Sequence, residues 1–253
     1  MGSLKGKRAF ITGGGQGIGY SIVEELMRQG ADVAIHYFSS KDGAEKLTAA
    51  SKSFGVRAKG FQADLTKESE AKRLVGEVAA FLNGIDILVN NTGDLVGRKT
   101  IADIDAAYIA KIMDINVNSM VYVTREASPH LIKANGASII NLASLAGRKG
   151  GHPGSLIYST AKGAVLTFTR ALSNELAPKG VRVNAVAPGL ILGTHFHNTH
   201  TTKESADATI AGIPVGRAGT PEDVARTVAF LASEYDGFIT GATIDINGGV
   251  YSA

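Results

Sequence analysis

Cysteine is absent from this chain of 253 residues, which excludes disulfide bonds and thiolate catalysis. No apolar segment is as long as the roughly 18 residues that a membrane-spanning helix needs. No cluster of basic residues resembles the positive surface of a nucleic-acid-binding protein. Lys and Arg total 26 against 23 Asp and Glu, so the formal charge is only +3. The first residues lack the apolar segment of a signal peptide. We therefore expect a cytoplasmic protein that binds neither nucleic acid nor membrane.

Short apolar segments alternate with amphipathic ones along the chain. Strands are predicted at 7–12, 32–37, 56–62, 85–89, 137–143, 181–187 and 242–246. Helices are predicted at 18–29, 41–53, 67–82, 103–133, 154–176 and 221–232, with a kink or division of the fourth near Asn116. This alternation predicts an α/β protein with one domain over residues 1–253. The domain is a Rossmann-type doubly wound fold, a seven-stranded parallel sheet with helices on both faces.

The turn after the first predicted strand is rich in glycine. It contains Gly13, Gly15, Gly17 and Gly19, but Ile18 stands where a strict G-x-G-x-x-G pattern needs glycine. A glycine-rich turn between a strand and a helix brings a pyrophosphate onto the helix N-terminus. The sequence therefore favours nucleotide binding over a turn that is only glycine-rich.

A second candidate site lies between residues 144 and 162. Tyr158 and Lys162 are four positions apart in a predicted helix, so they share one face. A nearby ammonium favours the phenolate and lowers a tyrosine pKa from about 10, which suits proton transfer. Ser144 follows the fifth predicted strand and could hydrogen-bond the reacting oxygen. The alternative is a surface tyrosine beside a solvated lysine.

Several of these residues share a position in the predicted sheet. Asp64, Asn90, Ser144 and Pro188 each follow a strand, as the glycine turn does. Ligands of open α/β sheets bind beyond the carboxyl ends of the strands. We expect these residues to converge on one rim of the sheet.

In their order and spacing, these motifs resemble those of the classical short-chain dehydrogenase/reductase family, in the group of the 3-oxoacyl-(acyl-carrier-protein) reductases and naphthol reductases. The resemblance covers nearly the whole chain. Its residues are Thr12-Gly13-x-x-x-Gly17-x-Gly19, Asp64, Asn90-Asn91-x-Gly93, Asn116, Ser144, Tyr158-x-x-x-Lys162 and Pro188-Gly189. One departure is Thr92, where the family usually has alanine.

The resemblance implies an NAD(P)-dependent oxidoreductase that reversibly reduces a ketone or aldehyde to an alcohol. It implies that Tyr158 is the general acid or base, that Lys162 lowers its pKa, that Ser144 binds the carbonyl oxygen and that Asn116 holds a relay water. The implied cofactor contacts are Gly13, Gly15, Gln16, Gly17, Ile18, Gly19, Tyr37, Ser39, Ser40, Asp64, Leu65, Asn91, Gly93, Tyr158, Lys162, Pro188, Gly189 and Ile191. A homotetramer is also implied.

The cofactor preference depends on the end of the second predicted strand. Counting from Gly30 places Tyr37 where NAD-specific members have a carboxylate. Ser39, Ser40 and Lys41 follow and suit a 2′-phosphate, although Gln16 replaces an arginine common in NADP-binding members. The sequence favours NADP(H) and leaves NAD(H) possible.

The substrate is the least determined part. A polar segment at about 190–215 is the expected substrate lid, and Asp94, Arg148, His152 and His195 are the candidate substrate residues. They favour a polar keto acid or sugar-derived carbonyl, with a 3-oxoacyl thioester as the alternative. No metal is expected at the histidines of the lid. A non-catalytic nucleotide sensor and an epimerase or dehydratase remain as other classes.

Overall fold

The computed structural model describes residues 4–134, 136–233 and 237–252, except for the side chains of His195 and His197. In this part of the chain, seven parallel strands form one sheet in the order β3-β2-β1-β4-β5-β6-β7. The strands are β1 (Arg8–Ile11), β2 (Asp32–Tyr37), β3 (Ala58–Gln62), β4 (Ile87–Asn90), β5 (Ala137–Leu142), β6 (Val181–Pro188) and β7 (Thr243–Ile246). The order reverses between β1 and β4, which creates a crevice at the carboxyl ends of the strands.

Ten α-helices are present among the described residues. They are α1 (Gly17–Arg28), α2 (Lys41–Phe54), α3 (Glu68–Leu82), α4 (Ala106–Met113), α5 (Ser119–Lys133), α6 (Leu145–Lys149), α7 (Leu156–Leu176), α8 (His195–His200), α9 (Lys203–Ala211) and α10 (Pro221–Ala232). Short 3₁₀ turns lie at Ile101–Asp103 and Ala177–Lys179. No helix of the described residues is long and apolar enough to cross a membrane.

The core is divided by the sheet into two layers. On one face, α1 and α10 pack together with α2 against Ile11, Ile35 and Val89. On the other face, α3 and α5 pack against Phe10 and Leu88. Successive residues of one strand, such as Phe10 and Ile11, therefore enter opposite layers, as the two-residue repeat of a strand requires. The predicted doubly wound fold with helices on both faces is confirmed.

The long helical region predicted at 103–133 is divided. A π-helical turn at Asp114–Asn118 separates α4 from α5 and contains the buried Asn116. Short helices α6, α8 and α9 were not predicted from the sequence, and the last two occupy the expected lid. Helix α10 begins at Pro221, as predicted, and Thr220 and Asp223 form a reciprocal capping box at this end.

Candidate active site

A cleft of about 1360 Å³ lies along the carboxyl ends of the strands. It brings together the glycine turn after β1, Asp64 after β3, Ser144 after β5 and Pro188 at the end of β6. The expected convergence is therefore present for these residues. Asn90 is the exception, because it is the last residue of β4 and is buried, where it donates to Thr124 Oγ1 and Asn141 Oδ1. Most of the predicted cofactor residues line this cleft, namely Gly13, Gln16, Gly17, Ile18, Gly19, Ser39, Ser40, Asp64, Leu65, Asn91, Gly93, Tyr158, Lys162, Pro188, Gly189 and Ile191.

The glycine turn has the shape that a pyrophosphate needs. Gly13 and Gly17 have φ values of +62° and +54°, which favour glycine. A Cβ on Gly19 would overlap the carbonyl oxygen of Gly13, so the helix packs directly on the turn. Helix α1 begins at Gly17 without a side-chain cap, which leaves its first N–H groups for an anion in the cleft. The turn therefore fits a dinucleotide.

His36 holds this turn in place and was missed by the sequence analysis. Its Nδ1 accepts a hydrogen bond from the Gly13 N–H at 3.0 Å, and its Nε2 lies 3.2 Å from the Ala63 carbonyl oxygen. Because that oxygen can only accept, Nε2 carries the proton and the ring is neutral. Burial lowers the pKa of His36 to about 4. The available signal was a histidine that directly follows three apolar residues in the second predicted strand.

Tyr37 and Gly15 do not belong to the described lining of the cleft, in contrast to the prediction. The Tyr37 ring lies over Gly60 of the neighbouring strand, on the face opposite His36. Gly15 packs against Ser40, where a Cβ would overlap the serine. The side chain beside Ser39 at the cleft is instead Phe38, which is 62% exposed.

Ser144, Tyr158 and Lys162 meet at the inner end of the cleft. Ser144 caps α6 by accepting a hydrogen bond from the Ala146 N–H at 3.1 Å. Along α7, the Lys162 ammonium lies 5.7 Å from the centre of the Tyr158 ring, as the four-residue spacing predicts. The buried Lys162 donates to the Leu142 carbonyl oxygen at 2.8 Å.

Burial is the largest influence on both titrating groups. It raises the pKa of Tyr158 to about 12, while a hydrogen bond with Ser144 lowers it and the charge of Asp94 raises it further. Burial also lowers the pKa of Lys162 to about 8. The sequence led us to expect that Lys162 lowers the pKa of Tyr158, but here that pKa is raised. The buried surroundings have low polarity, which disfavours the charged phenolate of Tyr158 and also the charged ammonium of Lys162.

Asn116 lies behind the cleft wall. Its Nδ2 donates to the carbonyl oxygens of Asp94 at 2.8 Å and Ile112 at 2.9 Å, and its Oδ1 accepts from the Asp94 N–H at 3.2 Å. A Cβ on Gly93 would lie 2.8 Å from Asn116 Oδ1 and 2.9 Å from Lys162 Nζ. Asn116 therefore fixes the loop after β4 beside Lys162, and its predicted relay role stays a prediction.

The four predicted substrate residues have three different outcomes. Asp94 and His152 line the cleft. Arg148 does not, because its Nε lies 3.0 Å from Asp245 Oδ1 and it also donates to the Thr243 carbonyl oxygen, which ties α6 to β7. Its prediction as a substrate residue is corrected to a structural role. The side chain of His195 lies outside the described residues.

Two lid residues near the reaction centre were also missed. Phe196 of α8 lies with its ring centre 5.8 Å from that of Tyr158, and 5.3 Å from that of His200. The sequence shows only an aromatic residue between two histidines in a polar segment, so it gave no signal for this contact. No three metal-ligating side chains of the described residues are grouped to hold an ion.

Comparison with known proteins identifies the class to which this fold and site belong. Residues 13–251 match a family model described as enoyl-(acyl carrier protein) reductase. The chain is 36% identical to the 3-oxoacyl-(acyl-carrier-protein) reductase FabG of Staphylococcus epidermidis over 249 residues, which are 97% of this chain and 99% of the relative. The chain therefore belongs to the short-chain dehydrogenase/reductase family, which confirms the resemblance seen in its motifs.

Solved structures agree with this assignment. The NADH-dependent reductase A1-R′, described as responsible for alginate metabolism, is 34% identical with a TM-score of 0.90 over 99% of both chains. A short-chain dehydrogenase from Burkholderia cenocepacia in complex with NADP is 31% identical with a TM-score of 0.91, covering 98% of this chain and 99% of that one. The protein is an enzyme of this family, an NAD(P)-dependent oxidoreductase.

Proposed function

We propose that the enzyme reduces the carbonyl group of a small polar molecule to an alcohol, reversibly, with Tyr158 as its acid and base. The observation that carries the proposal is the group formed by Ser144, Tyr158 and Lys162 at the inner end of a cleft whose other end fits a dinucleotide. A nicotinamide cofactor held in the cleft would supply or accept the hydride. The protein positions the reacting oxygen and handles the proton.

Each residue has one task in this proposal. Tyr158 is protonated at neutral pH, because burial holds its pKa at about 12, so it is ready to donate to the oxygen of a carbonyl. Ser144 donates a hydrogen bond to the same oxygen and stabilises the charge that develops there. Lys162 is the buried cation next to the phenol. Oxidation of the alcohol needs the phenolate, so its rate should rise with pH while reduction prefers lower pH.

Tyr158→Phe tests the proposal. We expect turnover to fall at least about a hundredfold, because the proton donor is lost, while cofactor affinity measured by fluorescence titration changes less than about threefold. Tyr122→Phe is the matched control, since Tyr122 is a half-buried residue of α5 that packs against the core and lies outside the cleft lining. Turnover of Tyr158→Phe within a few-fold of the wild-type rate would show that another group is the acid.

We propose NADP(H) as the preferred cofactor, with NAD(H) as the second candidate. Ser39 and Ser40 line the adenosine end of the cleft, and no carboxylate stands at the end of β2. Lys41 is next to them, although its ammonium lies 3.4 Å from Glu45. The solved relatives named above include one NADH-dependent enzyme and one NADP complex. A higher kcat/KM with NADH than with NADPH contradicts the preference.

We propose a sugar-derived carbonyl compound or polar keto acid as the substrate. Asp94, His152 and His200 line the substrate end of the cleft, and the A1-R′ relative is described as acting in alginate metabolism. The 3-oxoacyl thioester remains the alternative, because it is the substrate class in the name of the FabG relative. A panel of both classes decides between them, and activity confined to acyl thioesters rejects the first.

A homotetramer in the cytoplasm completes the proposal. Ile101, Ile109 and Leu156 are 73%, 41% and 49% exposed, so large apolar side chains stand open at the turn before α4, on α4 and at the start of α7. Helices with such faces associate with copies of themselves to remove apolar surface from water. Light scattering that gives a monomeric mass rejects the tetramer, and cell fractionation tests the location.

A further inference from the structure

The loop after β4 and the end of helix α8 meet beside the reaction centre. His200 Nε2 lies 3.4 Å from Asp94 Oδ1. Arg98 Nη2 donates to the His200 carbonyl oxygen at 3.4 Å, and Arg98 Nη1 donates to the Pro153 carbonyl oxygen at 3.1 Å. The loop therefore contacts both the side chain and the backbone of His200, which defines an Asp94–His200 pair at the wall of the cleft.

The backbone of Asp94 is fixed independently of the lid. Asn116 donates to its carbonyl oxygen and accepts from its N–H. Two residues further, Val96 has a φ of +66°, a conformation that a β-branched residue rarely adopts. Such strain persists only where the surrounding structure imposes it, and it is concentrated at functional sites. The loop is thus held in a shape that presents the Asp94 carboxylate to the cleft.

The surroundings of the pair are partly aromatic and partly charged. Phe196 lies between Tyr158 and His200, with its ring near both. The Asp94 side chain is 48% exposed, whereas that of His200 is 14% exposed, so the carboxylate is the more accessible member. The pair therefore offers a hydrogen-bond acceptor and an imidazole next to an aromatic wall, close to the phenol.

We propose that Asp94 and His200 are specificity-determining residues that select a carbonyl substrate with a hydroxyl group on the carbon next to the carbonyl. The substrate hydroxyl donates a hydrogen bond to the Asp94 carboxylate and contacts the His200 imidazole, while the carbonyl oxygen faces Tyr158. The inference rests on the proposed carbonyl reduction and narrows its substrate class to hydroxylated carbonyl compounds, which leaves out those keto acids whose carboxylate is next to the carbonyl.

Two other substrate classes fit this wall poorly. An alkyl chain would displace water from the Asp94 carboxylate without replacing its hydrogen bonds, which is unfavourable for a charged group. A carboxylate next to the carbonyl would face the like charge of Asp94. Three cations near this wall offset the repulsion only weakly. Arg98 is exposed and donates its hydrogen bonds to two backbone carbonyls. Lys111 and Lys149 are exposed at the edge of the cleft, where solvent and salt screen their charges.

Three ketones of similar size test the inference, namely 1-hydroxy-2-butanone, 3-pentanone and 2-oxobutanoate. Beside an ethyl group common to all three, their carbonyl carbon carries a hydroxymethyl, a second ethyl and a carboxylate group, respectively. We expect wild-type kcat/KM for the hydroxyketone to exceed the other two about tenfold or more, the usual effect of a hydrogen bond to a charged group. Asp94→Leu should abolish most of the preference over 3-pentanone. Asp94→Asn, which keeps the shape, should raise the relative rate with 2-oxobutanoate.

The controls separate this inference from the proposed function. Asp207→Asn removes a carboxylate that is paired with Lys203 on α9 outside the cleft lining, and it should leave the three ratios unchanged. His200→Phe keeps a ring near Phe196 and should reduce the hydroxyl preference as Asp94→Leu does. Cofactor titration and thermal unfolding establish that each variant is folded.

Ratios that are unchanged in folded Asp94→Asn and His200→Phe variants overturn the inference, and so does a wild-type enzyme that prefers 3-pentanone or 2-oxobutanoate or that reduces none of the three. Reduction of any other ketone, aldehyde or acetoacetyl thioester then still supports the proposed carbonyl reduction. Absence of turnover with every carbonyl and both cofactors rejects the proposed function itself.

Discussion

Replacing His36 should change the acid stability of the enzyme in a calculable way. The folded protein keeps this ring neutral, since its pKa is about 4 against 6.5 for a free histidine. The unfolded chain binds a proton below pH 6.5, whereas the folded chain does so only below about pH 4. The stability associated with His36 is therefore complete above pH 6.5 and is lost as the pH falls toward 4. At pH 5, the loss is about 2 kcal/mol from these two pKa values.

His36→Asn removes the titrating ring and so removes this pH-dependent loss. A change of 2 kcal/mol corresponds to roughly 4–8 °C in Tm for a chain of this size. We expect the Tm of the wild-type enzyme to fall between pH 7.5 and 5.0 by that much more than the Tm of the variant. Differential scanning fluorimetry at one fixed protein concentration measures both, because association also affects Tm.

The exposed His152 provides the matched control. His152→Asn should follow the wild-type curve, because the His152 ring is exposed and makes no contact with the glycine turn that His36 holds. Parallel losses of Tm in the wild-type enzyme and in His36→Asn would refute the reasoning. They would mean that the Gly13 N–H does not hold the ring in its neutral form.

Substitutions at Gly19 and Arg148 test the packing of the glycine turn and the structural role of the ion pair with Asp245. Gly19→Ala places a Cβ against the Gly13 carbonyl oxygen, so it should weaken cofactor binding about tenfold or more in fluorescence titration, and an unchanged Kd would contradict this packing. Arg148→Met removes the partly buried ion pair with Asp245 and should destabilise the enzyme by about 1–3 kcal/mol in urea unfolding without changing the ranking of substrates. A changed ranking at unchanged stability would return Arg148 to the substrate site.

The order of elements and the chemistry of the reaction centre follow from local sequence. The alternation of short apolar segments with amphipathic ones predicted a parallel sheet covered by helices. The glycine turn predicted where the first helix begins. Tyr158 and Lys162 are on one helix, so their spacing alone places them side by side. Such features depend on neighbours within a few residues, and the sequence therefore determined them.

The sequence did not determine which face of the sheet each strand residue points to. An error of one position in the count exchanges the two faces. A count from Gly30 led to Tyr37, yet the ring of Tyr37 packs over Gly60 while His36 and Phe38 line the cleft. The sequence predicted correctly that the end of β2 has residues suited to a nucleotide. Which of their side chains face the cleft depends on how β2 is placed against β3.

By itself, the sequence determined the class of enzyme and the sheet, and it singled out Ser144, Tyr158 and Lys162 as candidate catalytic residues. Tertiary structure alone decided that Arg148 pairs with Asp245, 97 positions away, and that Phe196 packs near Tyr158 while His200 contacts Asp94. It also decided that Tyr158 has a raised pKa. Burial and long-range contacts come from how distant segments pack, which no local pattern of residues encodes.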